Sequence, residues 1–562
     1  MGSHQADARH RCASLVWNDR KSLDTPCHAS RLAGFAAMKD RKTGSMRTDA
    51  IIIGAGHNGL VCAGYLVRAG MNVLCLESAD SAGGMSAPRT ISDNYHFPGL
   101  VHAAYPVSTA LRRDLKLEQF GYQPGKAIDT IALDGNGDHL TIGAERVSGA
   151  GLAERDEQTY ATFRKQYLAY ARTLRPLFEN KPPRLKDMAF ADKVTLAKLG
   201  WNIRFGLGRE AMNEFLRVAA INIYDVLNDE FEDDRLKGAI AVDAVMGSAM
   251  GPRTPGTVLT WLQRLQGELN GPMFVQSGGR SQLVHALTQS AEDAGATIRF
   301  DAHVNKILID NGKAFGVELS TGEMLKARII VSNADPRSTF MRLVGAPQFD
   351  AMFTKRVTQI RGAGVVAKLH IALNGKPEFT GLADPQLGGR LMVAPSMKYI
   401  ERAFNISKYD ECSEHPVLEI TIPSVHNAAL APEGHHVMSV NVAFAPYDLE
   451  GGWEEQKTTF AYKVISQLGQ YAPNLTSLVV DHEFLTPRDI EQQLHAVRGH
   501  WHHGELSIHQ SFMMRPLHGA AQYDTPVERL FLCGAGSHPG GGLTGLPGRN
   551  AAKRILELGG AK

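Results

Sequence analysis

The sequence predicts an α/β fold in two parts: one domain built on a parallel sheet, and an α+β domain with a mixed sheet under helices. Three observations support this prediction. A strand, a glycine-rich turn and a helix open at residue 50, and a buried strand, a glycine loop and a helix close the chain. The 562 residues, 43% of them hydrophobic, also exceed what one core of about 150 residues can use.

The opening motif predicts a Rossmann-like phosphate site. After an apolar strand, Gly54, Gly56 and Gly59 follow at the spacing of a dinucleotide-binding turn, with His57 and Asn58 between them. In such a turn the first glycine makes the bend, the second lets the backbone approach a pyrophosphate, and the third lets the helix pack on the strand. The phosphates then bind at the helix N-terminus.

The second strand of this unit ends in an acid. Glu77 lies about 20 residues beyond the turn, where a carboxylate accepts hydrogen bonds from a ribose and favours FAD or NAD over NADP. Ser78 follows, and then Gly83, Gly84 and Met85. This glycine pair resembles the extended motif of the glutathione-reductase-type flavoproteins, and the resemblance favours FAD over NAD.

The last motif is a buried strand that runs into a glycine loop and a helix start. A helix N-terminus supplies free N–H donors and positive potential, which suit the flavin N1 and C2 carbonyl as they gain negative charge. The residues expected to hold the flavin ring are Gly534, Ala535, Gly536, Gly541, Gly542 and Leu543.

Residues 332–336 and the terminal glycine loop resemble the phytoene desaturase-like flavoproteins. Further segments are similar to the family of pyridine nucleotide-disulfide oxidoreductase domain-containing protein 2, and the likeness covers nearly everything from Thr48 onward. The resemblance implies FAD as cofactor and backbone contact of Val304 with the adenine. It also implies that backbone amides and water hold the ribitol, because Ala535 and Gly536 stand where other flavoproteins often have an acid. The segments that carry the second likeness are 250–256, 399–403, 419–425 and 445–447.

We expect a discontinuous FAD-binding domain formed by residues 47–110, 270–345 and 511–562. The substrate domain is expected to comprise residues 111–269 and 346–510. Residues 1–46 are polar and show no clear hydrophobic period, which predicts a disordered extension.

Composition excludes several functions. With 60 basic and 58 acidic side chains, the chain has no electrostatic footprint for nucleic acid. The six cysteines form no CxxC pair, which excludes thiol–disulfide chemistry. No apolar run reaches the roughly 18 to 20 residues of a membrane span. We therefore expect a cytoplasmic protein, or one of the mitochondrial matrix if the source is eukaryotic, and leave peripheral membrane contact and a homodimer open.

An FAD protein without a reductase domain takes two electrons from its substrate and passes them to a separate acceptor, here expected to be a quinone or oxygen. Together with the family resemblance, this predicts dehydrogenation or desaturation of a largely apolar, isoprenoid or lipid-like small molecule by hydride transfer to flavin N5. Two alternatives remain open. One is a flavin amine oxidase, and the other is a flavin-binding interaction protein without turnover.

His538, beside the flavin loop, is the candidate catalytic proton carrier, and the alternative is that its ring only braces the loop. The one histidine cluster, at residues 500–509, is expected to form a polar rim near the substrate. We predict that it binds no metal. Arg515 fits either a substrate or cofactor contact or a structural ion pair. Residues 193–218 fit either core-facing helices or a lid that dips into a membrane.

Overall fold

The structure, a computed structural model, describes residues 48–184, 188–278 and 282–560. The predicted disordered extension at residues 1–46 lies outside these residues. In chain order the strands are β1 (Ala50–Ile53), β2 (Val73–Leu76), β3 (Arg89–Ile91), β4 (Tyr95–Phe97), β5 (Ala103–Ala104), β6 (Thr130–Ala132), β7 (Leu140–Ile142), β8 (Val147–Gly149), β9 (Phe274–Val275), β10 (Thr297–Arg299), β11 (Val304–Asp310), β12 (Lys313–Leu319), β13 (Met324–Lys326), β14 (Ile329–Ser332), β15 (Val366–Leu373), β16 (Arg390–Val393), β17 (Val417–Thr421), β18 (His436–Ala443), β19 (Val479–Leu485) and β20 (Leu530–Leu532).

The α-helices of the described residues follow the same numbering. In chain order they are α1 (His57–Arg68), α2 (Thr109–Asp114), α3 (Glu154–Glu179), α4 (Phe190–Trp201), α5 (Arg209–Val218), α6 (Ile223–Glu230), α7 (Asp234–Val245), α8 (Thr257–Glu268), α9 (Gln282–Asp293), α10 (Ala351–Thr358), α11 (Met397–Ser407), α12 (Trp453–Tyr471), α13 (Leu475–Leu478), α14 (Pro487–Leu494) and α15 (Leu546–Ile555). No helix among the described residues is long and apolar enough to cross a bilayer.

The first sheet is parallel and has the strand order β10-β2-β1-β14-β20. Side chains of successive strand residues point to opposite faces. Ala50 and Ile52 pack against α1, α9 and α15, whereas Ile51 and Ile53 pack against the antiparallel strands β11 and β12. Both faces are therefore covered, which explains why β1 is apolar at every position.

The second sheet is mixed and has the strand order β19-β15-β18-β17-β16-β6-β7-β8, in which only the β16–β6 pair is parallel. Helix α12 covers one face through a core that includes Leu369, Val440 and Val464. The predicted α/β fold, with a Rossmann-like FAD domain and a mixed-sheet second domain, is confirmed.

The two sheets draw on different parts of the chain. All five strands of the parallel sheet fall within residues 47–110, 270–345 and 511–562, and all eight strands of the mixed sheet fall within 111–269 and 346–510. A cavity lies where the carboxyl ends of the parallel strands approach the mixed sheet. Ligands of open α/β sheets bind at this edge.

Candidate active site

A cavity of about 420 Å³ runs between the two sheets. Its walls combine the loops after β1, β2 and β14, the terminal glycine loop, and side chains of the mixed sheet. Most of the residues predicted to bind the cofactor line it: Gly54, Gly56, His57, Asn58, Glu77, Ser78, Gly83, Gly84, Met85, Val304, Ala535, Gly541, Gly542 and Leu543.

The N-terminus of α1 opens into this cavity. Gly56 is the N-cap residue, no side chain caps the helix, and its first turn contains no acid. The first N–H groups of a helix have no partner within the helix, and they attract anions. A Cβ on Gly56 would lie 3.0 Å from Asn333 Nδ2, so the backbone itself forms this wall. The turn therefore fits a pyrophosphate.

Glu77 lies at the end of β2 and is held by its neighbours. Its Oε2 accepts a hydrogen bond from the Ala55 amide at 2.7 Å, and its Oε1 accepts from the Ala79 amide at 3.1 Å and from Ser78 Oγ at 3.2 Å. Each ionised carboxylate oxygen has about two acceptor sites. Oε2 therefore keeps an acceptor site for a ribose hydroxyl, in a position that the protein fixes in advance.

Two buried polar atoms beside this cradle have no partner among the described residues. They are Asn58 Oδ1 and Ser86 Oγ, and both residues line the cavity. A buried polar group without a hydrogen bond is costly, so such atoms point to a ligand or ordered water. Together with the glycine cradle, they show that this end of the cavity fits a dinucleotide.

The terminal glycine loop faces the same cavity. A Cβ on Gly541 would lie 1.9 Å from Nδ1 of His502, so only glycine fits against that ring. His57 Nε2 donates to the Gly542 carbonyl at 3.2 Å and ties the first turn to the last loop. Leu543 and Thr544 continue the wall toward α15. These residues would hold the flavin ring.

Three predicted cofactor residues lie behind the wall and serve packing. A Cβ on Gly59 would lie 2.1 Å from the Gly54 carbonyl oxygen, and one on Gly534 would lie 2.5 Å from the Asn333 carbonyl oxygen. A Cβ on Gly536 would meet the Pro336 ring at 2.4 Å. Because they have no side chain, the neighbouring segments can pack closely and hold the cradle in place. None of the three lines the cavity.

His538 does not reach the cavity, contrary to its predicted role as proton carrier. The side chain is fully buried, and its Nε2 donates to the Leu177 carbonyl at 2.8 Å. The rings of Phe178 and Phe512 lie beside it. Burial lowers the pKa of His538 to about 4, so the imidazole is neutral. This environment favours the bracing alternative.

Unlike His538, two members of the histidine cluster reach the cavity. His502 and His503 line the wall with Trp501, and no group of metal-ligand side chains is found among the described residues. Burial lowers the pKa of His502 to about 3, so its ring is also neutral. The arrangement fits the predicted polar rim.

Arg515 fixes this rim to the flavin loop. Its guanidinium donates to the carbonyls of His502 at 2.6 Å, Glu505 at 2.8 Å and Ala535 at 2.9 Å. Burial lowers the pKa of Arg515 to about 10. All five carbonyls that accept hydrogen bonds from Arg515 belong to the backbone, so Arg515 has a structural role rather than a contact with substrate.

The opposite wall contains polar residues that sequence reasoning missed: His102, Tyr105, Asp243, Arg264, Glu419 and Asn441. The signal was present in the strand sequences. Lys368, Glu419 and Asn441 lie in strands that are buried and mostly apolar. A charged residue inside a buried strand is rare unless it is paired, and therefore marks a network.

Comparison with known proteins agrees with this geometry. A family described as FAD dependent oxidoreductase matches residues 49–420, which is more than half of the chain. The chain belongs to this family, and FAD is its cofactor.

Three relatives are informative. The rat pyridine nucleotide-disulfide oxidoreductase domain-containing protein 2 is 29% identical, over 95% of this chain and 98% of the relative. A limonene dehydrogenase polypeptide of Castellaniella defragrans is 25% identical, over 91% and 94% of the two chains. The lycopene-forming phytoene desaturase of Pantoea ananas is 24% identical, over 90% and 98%. The resemblance predicted from the sequence is confirmed.

Solved structures share the fold at low identity. An oxidoreductase from Methanosarcina mazei aligns with a TM-score of 0.57 at 15% identity, covering 91% of this chain and all of the other. Putrescine oxidase bound to putrescine aligns with a TM-score of 0.57 at 13% identity, covering 91% and 98%. At this identity the likeness concerns the fold alone.

Proposed function

We propose that this FAD-dependent oxidoreductase dehydrogenates a largely apolar small molecule and passes the electrons to a quinone or to oxygen. One observation carries the proposal. The cradle for the dinucleotide opens directly into a space walled by Leu100, Val101, Ala244, Met246 and Leu506. An apolar molecule placed there would lie against the flavin loop and displace water from it.

The relatives support this substrate class. Limonene dehydrogenase and phytoene desaturase are named for hydrocarbon substrates, and each matches this chain over at least nine tenths of its length. Fold and family alone do not decide a substrate, because function depends on the site. The apolar wall is therefore the stronger support.

The protein's own groups would position and enclose the reaction. FAD, when bound, supplies the hydride acceptor. His57 and His502 face the same space, and burial lowers the pKa of His57 to about 4. A neutral imidazole accepts or donates a hydrogen bond without placing a charge beside the substrate. We assign these two residues to orienting the substrate and cofactor.

The proposal is tested by anaerobic titration of the FAD-loaded protein with terpenes, fatty acids, alcohols and amines. Loss of the flavin absorbance band with an apolar ligand, and its return on adding a quinone or oxygen, is the expected result. Bleaching by amines alone, with peroxide released in air, would instead establish an amine oxidase. A flavin that no ligand bleaches, in a protein that retains a binding partner, would contradict turnover.

The helices α4 and α5 present an exposed apolar surface, which we call the α4–α5 patch. Its large apolar members are Phe190, Trp201, Phe205 and Leu216, which are 82%, 65%, 60% and 62% exposed. Exposed basic side chains alternate with them, and Glu210 is an exposed acid in the same stretch. The basic residues are Lys193, Lys198, Arg204, Arg209 and Arg217.

We propose that the α4–α5 patch makes peripheral contact with an anionic membrane. Aromatic side chains insert at the headgroup boundary, while basic side chains attract acidic lipid. When phosphatidylglycerol vesicles are sedimented, the wild type should be found in the pellet with them. A Trp201→Ser/Phe205→Ser double variant should stay in the supernatant. Met324→Ser, at an apolar side chain 65% exposed on β13, is the matched control. Equal fractions of all three proteins in the vesicle pellet would contradict the proposal.

A further inference from the structure

The mixed sheet presents a row of buried polar groups beside the cavity. Lys368, Asn441 and Glu419 are direct cross-strand partners on β15, β18 and β17. Lys368 Nζ donates to Asn441 Oδ1 at 2.8 Å, and Asn441 Nδ2 donates to Glu419 Oε2 at 2.7 Å. His102 lies over this row, with Nδ1 3.0 Å from Lys368 Nζ and Nε2 3.3 Å from Glu419 Oε2. We call these four residues the polar row.

Two arginines and a second acid extend the polar row toward the cavity. Arg390 is 1% exposed and donates from Nε to Glu419 Oε1 at 2.6 Å and from Nη2 to Asp243 Oδ1 at 2.5 Å. Arg264 lies further out, with Nε 2.8 Å from the same Asp243 oxygen. Asp243 Oδ1 is thus shared by two guanidinium groups.

The basic and acidic side chains of this assembly differ in number. Three basic side chains, Lys368, Arg390 and Arg264, face two carboxylates, Asp243 and Glu419. Burial lowers the pKa of Lys368 well below its ordinary value, although Glu419 opposes this effect, and so favours the neutral amine. Loss of the Lys368 proton leaves two arginines facing two carboxylates.

The guanidinium of Arg264 and the hydroxyl of Tyr105 lie where this assembly meets the cavity, and both can donate further hydrogen bonds. The Nη2 of Arg264 is 4.0 Å from Glu419 Oε1, and its Nε, although 2.8 Å from Asp243 Oδ1, has no hydrogen-bond partner of acceptable geometry among the described residues. Tyr105 lines the cavity beside Arg264, and the centre of the Tyr105 ring is 5.7 Å from the Cζ of Arg264. Burial raises the pKa of Tyr105 to about 12, so its hydroxyl stays a donor. A guanidinium fork and a phenol together match a carboxylate.

We propose that Arg264 and Tyr105 bind a carboxylate at one end of the substrate, so that the enzyme acts on apolar acids. This inference rests on the proposed dehydrogenation, and it adds the group that orients the chain. The apolar wall formed by Leu100, Val101, Ala244, Met246 and Leu506 lines the same cavity as this polar end and the flavin loop. A carboxylate fixed at the polar end would hold the apolar part of an acid along that wall.

The test compares decanoate, 1-decanol and decylamine, which share a chain and differ in the end group. Isothermal titration calorimetry on the FAD-loaded protein should show decanoate binding at least about tenfold more tightly than the alcohol, the effect of one charge-assisted contact. Arg264→Gln should remove this preference, and Tyr105→Phe should reduce it severalfold. Arg155→Gln, the same change in an exposed surface ion pair, should leave it intact.

Arg264→Lys is a second variant in case the glutamine variant does not fold. It keeps the positive charge but loses the two-pronged guanidinium, and should retain part of the preference for decanoate. Equal or tighter binding of the alcohol or the amine by the wild type would overturn the proposal. So would a decanoate preference that survives in a folded Arg264→Gln protein. Calorimetry needs no turnover, so a carboxylate preference in a protein whose flavin no ligand bleaches would support this site while contradicting the dehydrogenation.

Discussion

Replacing Gly59 by alanine should uncouple α1 from the glycine turn. The new Cβ would lie 2.1 Å from the Gly54 carbonyl oxygen, about 0.9 Å inside the 3.0 Å limit that real Cβ contacts respect. The contacted oxygen belongs to the backbone, so the start of α1 must move away from the turn. Such overpacking costs about 1–3 kcal/mol of stability.

The same displacement should weaken cofactor binding. The N–H groups at the start of α1 would move relative to the pyrophosphate, and one charge-assisted hydrogen bond contributes about 1.5–3 kcal/mol. We therefore expect the dissociation constant for FAD to rise about 10- to 100-fold, measured by titrating apoprotein with FAD and following flavin fluorescence. Gly135→Ala is the control, because its Cβ would meet nothing within 4 Å. Unchanged FAD affinity in a folded Gly59→Ala protein would refute this account of the turn.

Two further predictions concern the histidine brace and an ion pair. His538→Ala should lower the free energy of unfolding by about 1–3 kcal/mol, because the Leu177 carbonyl loses its hydrogen-bond donor. The pH profile of flavin reduction should stay unchanged. Normal stability with loss of flavin reduction would instead show that His538 takes part in the reaction. Burial raises the pKa of Glu483, but hydrogen bonds from His370 and Arg89 outweigh it and lower that pKa from 4.5 to about 2. Its carboxylate should therefore contribute about 3 kcal/mol above pH 4.5 that is lost as pH falls toward 2. Urea unfolding of Glu483→Gln across this range, with the exposed Glu145→Gln as control, should show a deficit at pH 7 that closes in acid, and a deficit independent of pH would contradict the assignment.

Local sequence patterns were enough to predict the nucleotide domain. The bend at Gly54, the approach at Gly56 and the acid at Glu77 each depend on residues close in sequence, and a short motif records them. Strand β1 likewise follows from an apolar run bounded by a glycine. These features could be predicted because their physical causes are local.

The substrate side could not be predicted in the same way. The polar row depends on the register between β15, β18 and β17, which places Lys368, Asn441 and Glu419 side by side although they lie far apart in sequence. His538 shows the reverse case. It stands next to the flavin loop in sequence, yet its ring turns away toward Leu177. Side-chain direction in an irregular loop follows from packing that no local pattern records.

The α4–α5 patch shows a third limit. Apolar residues at helical spacing predict a buried face, and the core-facing alternative was therefore reasonable for residues 193–218. The structure packs Leu199, Ile203 and Leu207 against the core and buries Phe215 and Val218, but leaves Trp201 and Phe205 exposed. Whether an apolar helix face is covered depends on the elements around it, which periodicity does not describe.

The visible spectrum of the purified protein, with chromatography of the cofactor released on denaturation, tests the central claim most directly. The cradle at Gly54 and Gly56, the carboxylate of Glu77 and the terminal glycine loop predict a yellow protein that releases FAD in equimolar amount. A colourless protein that cannot be reconstituted with FAD would contradict the account.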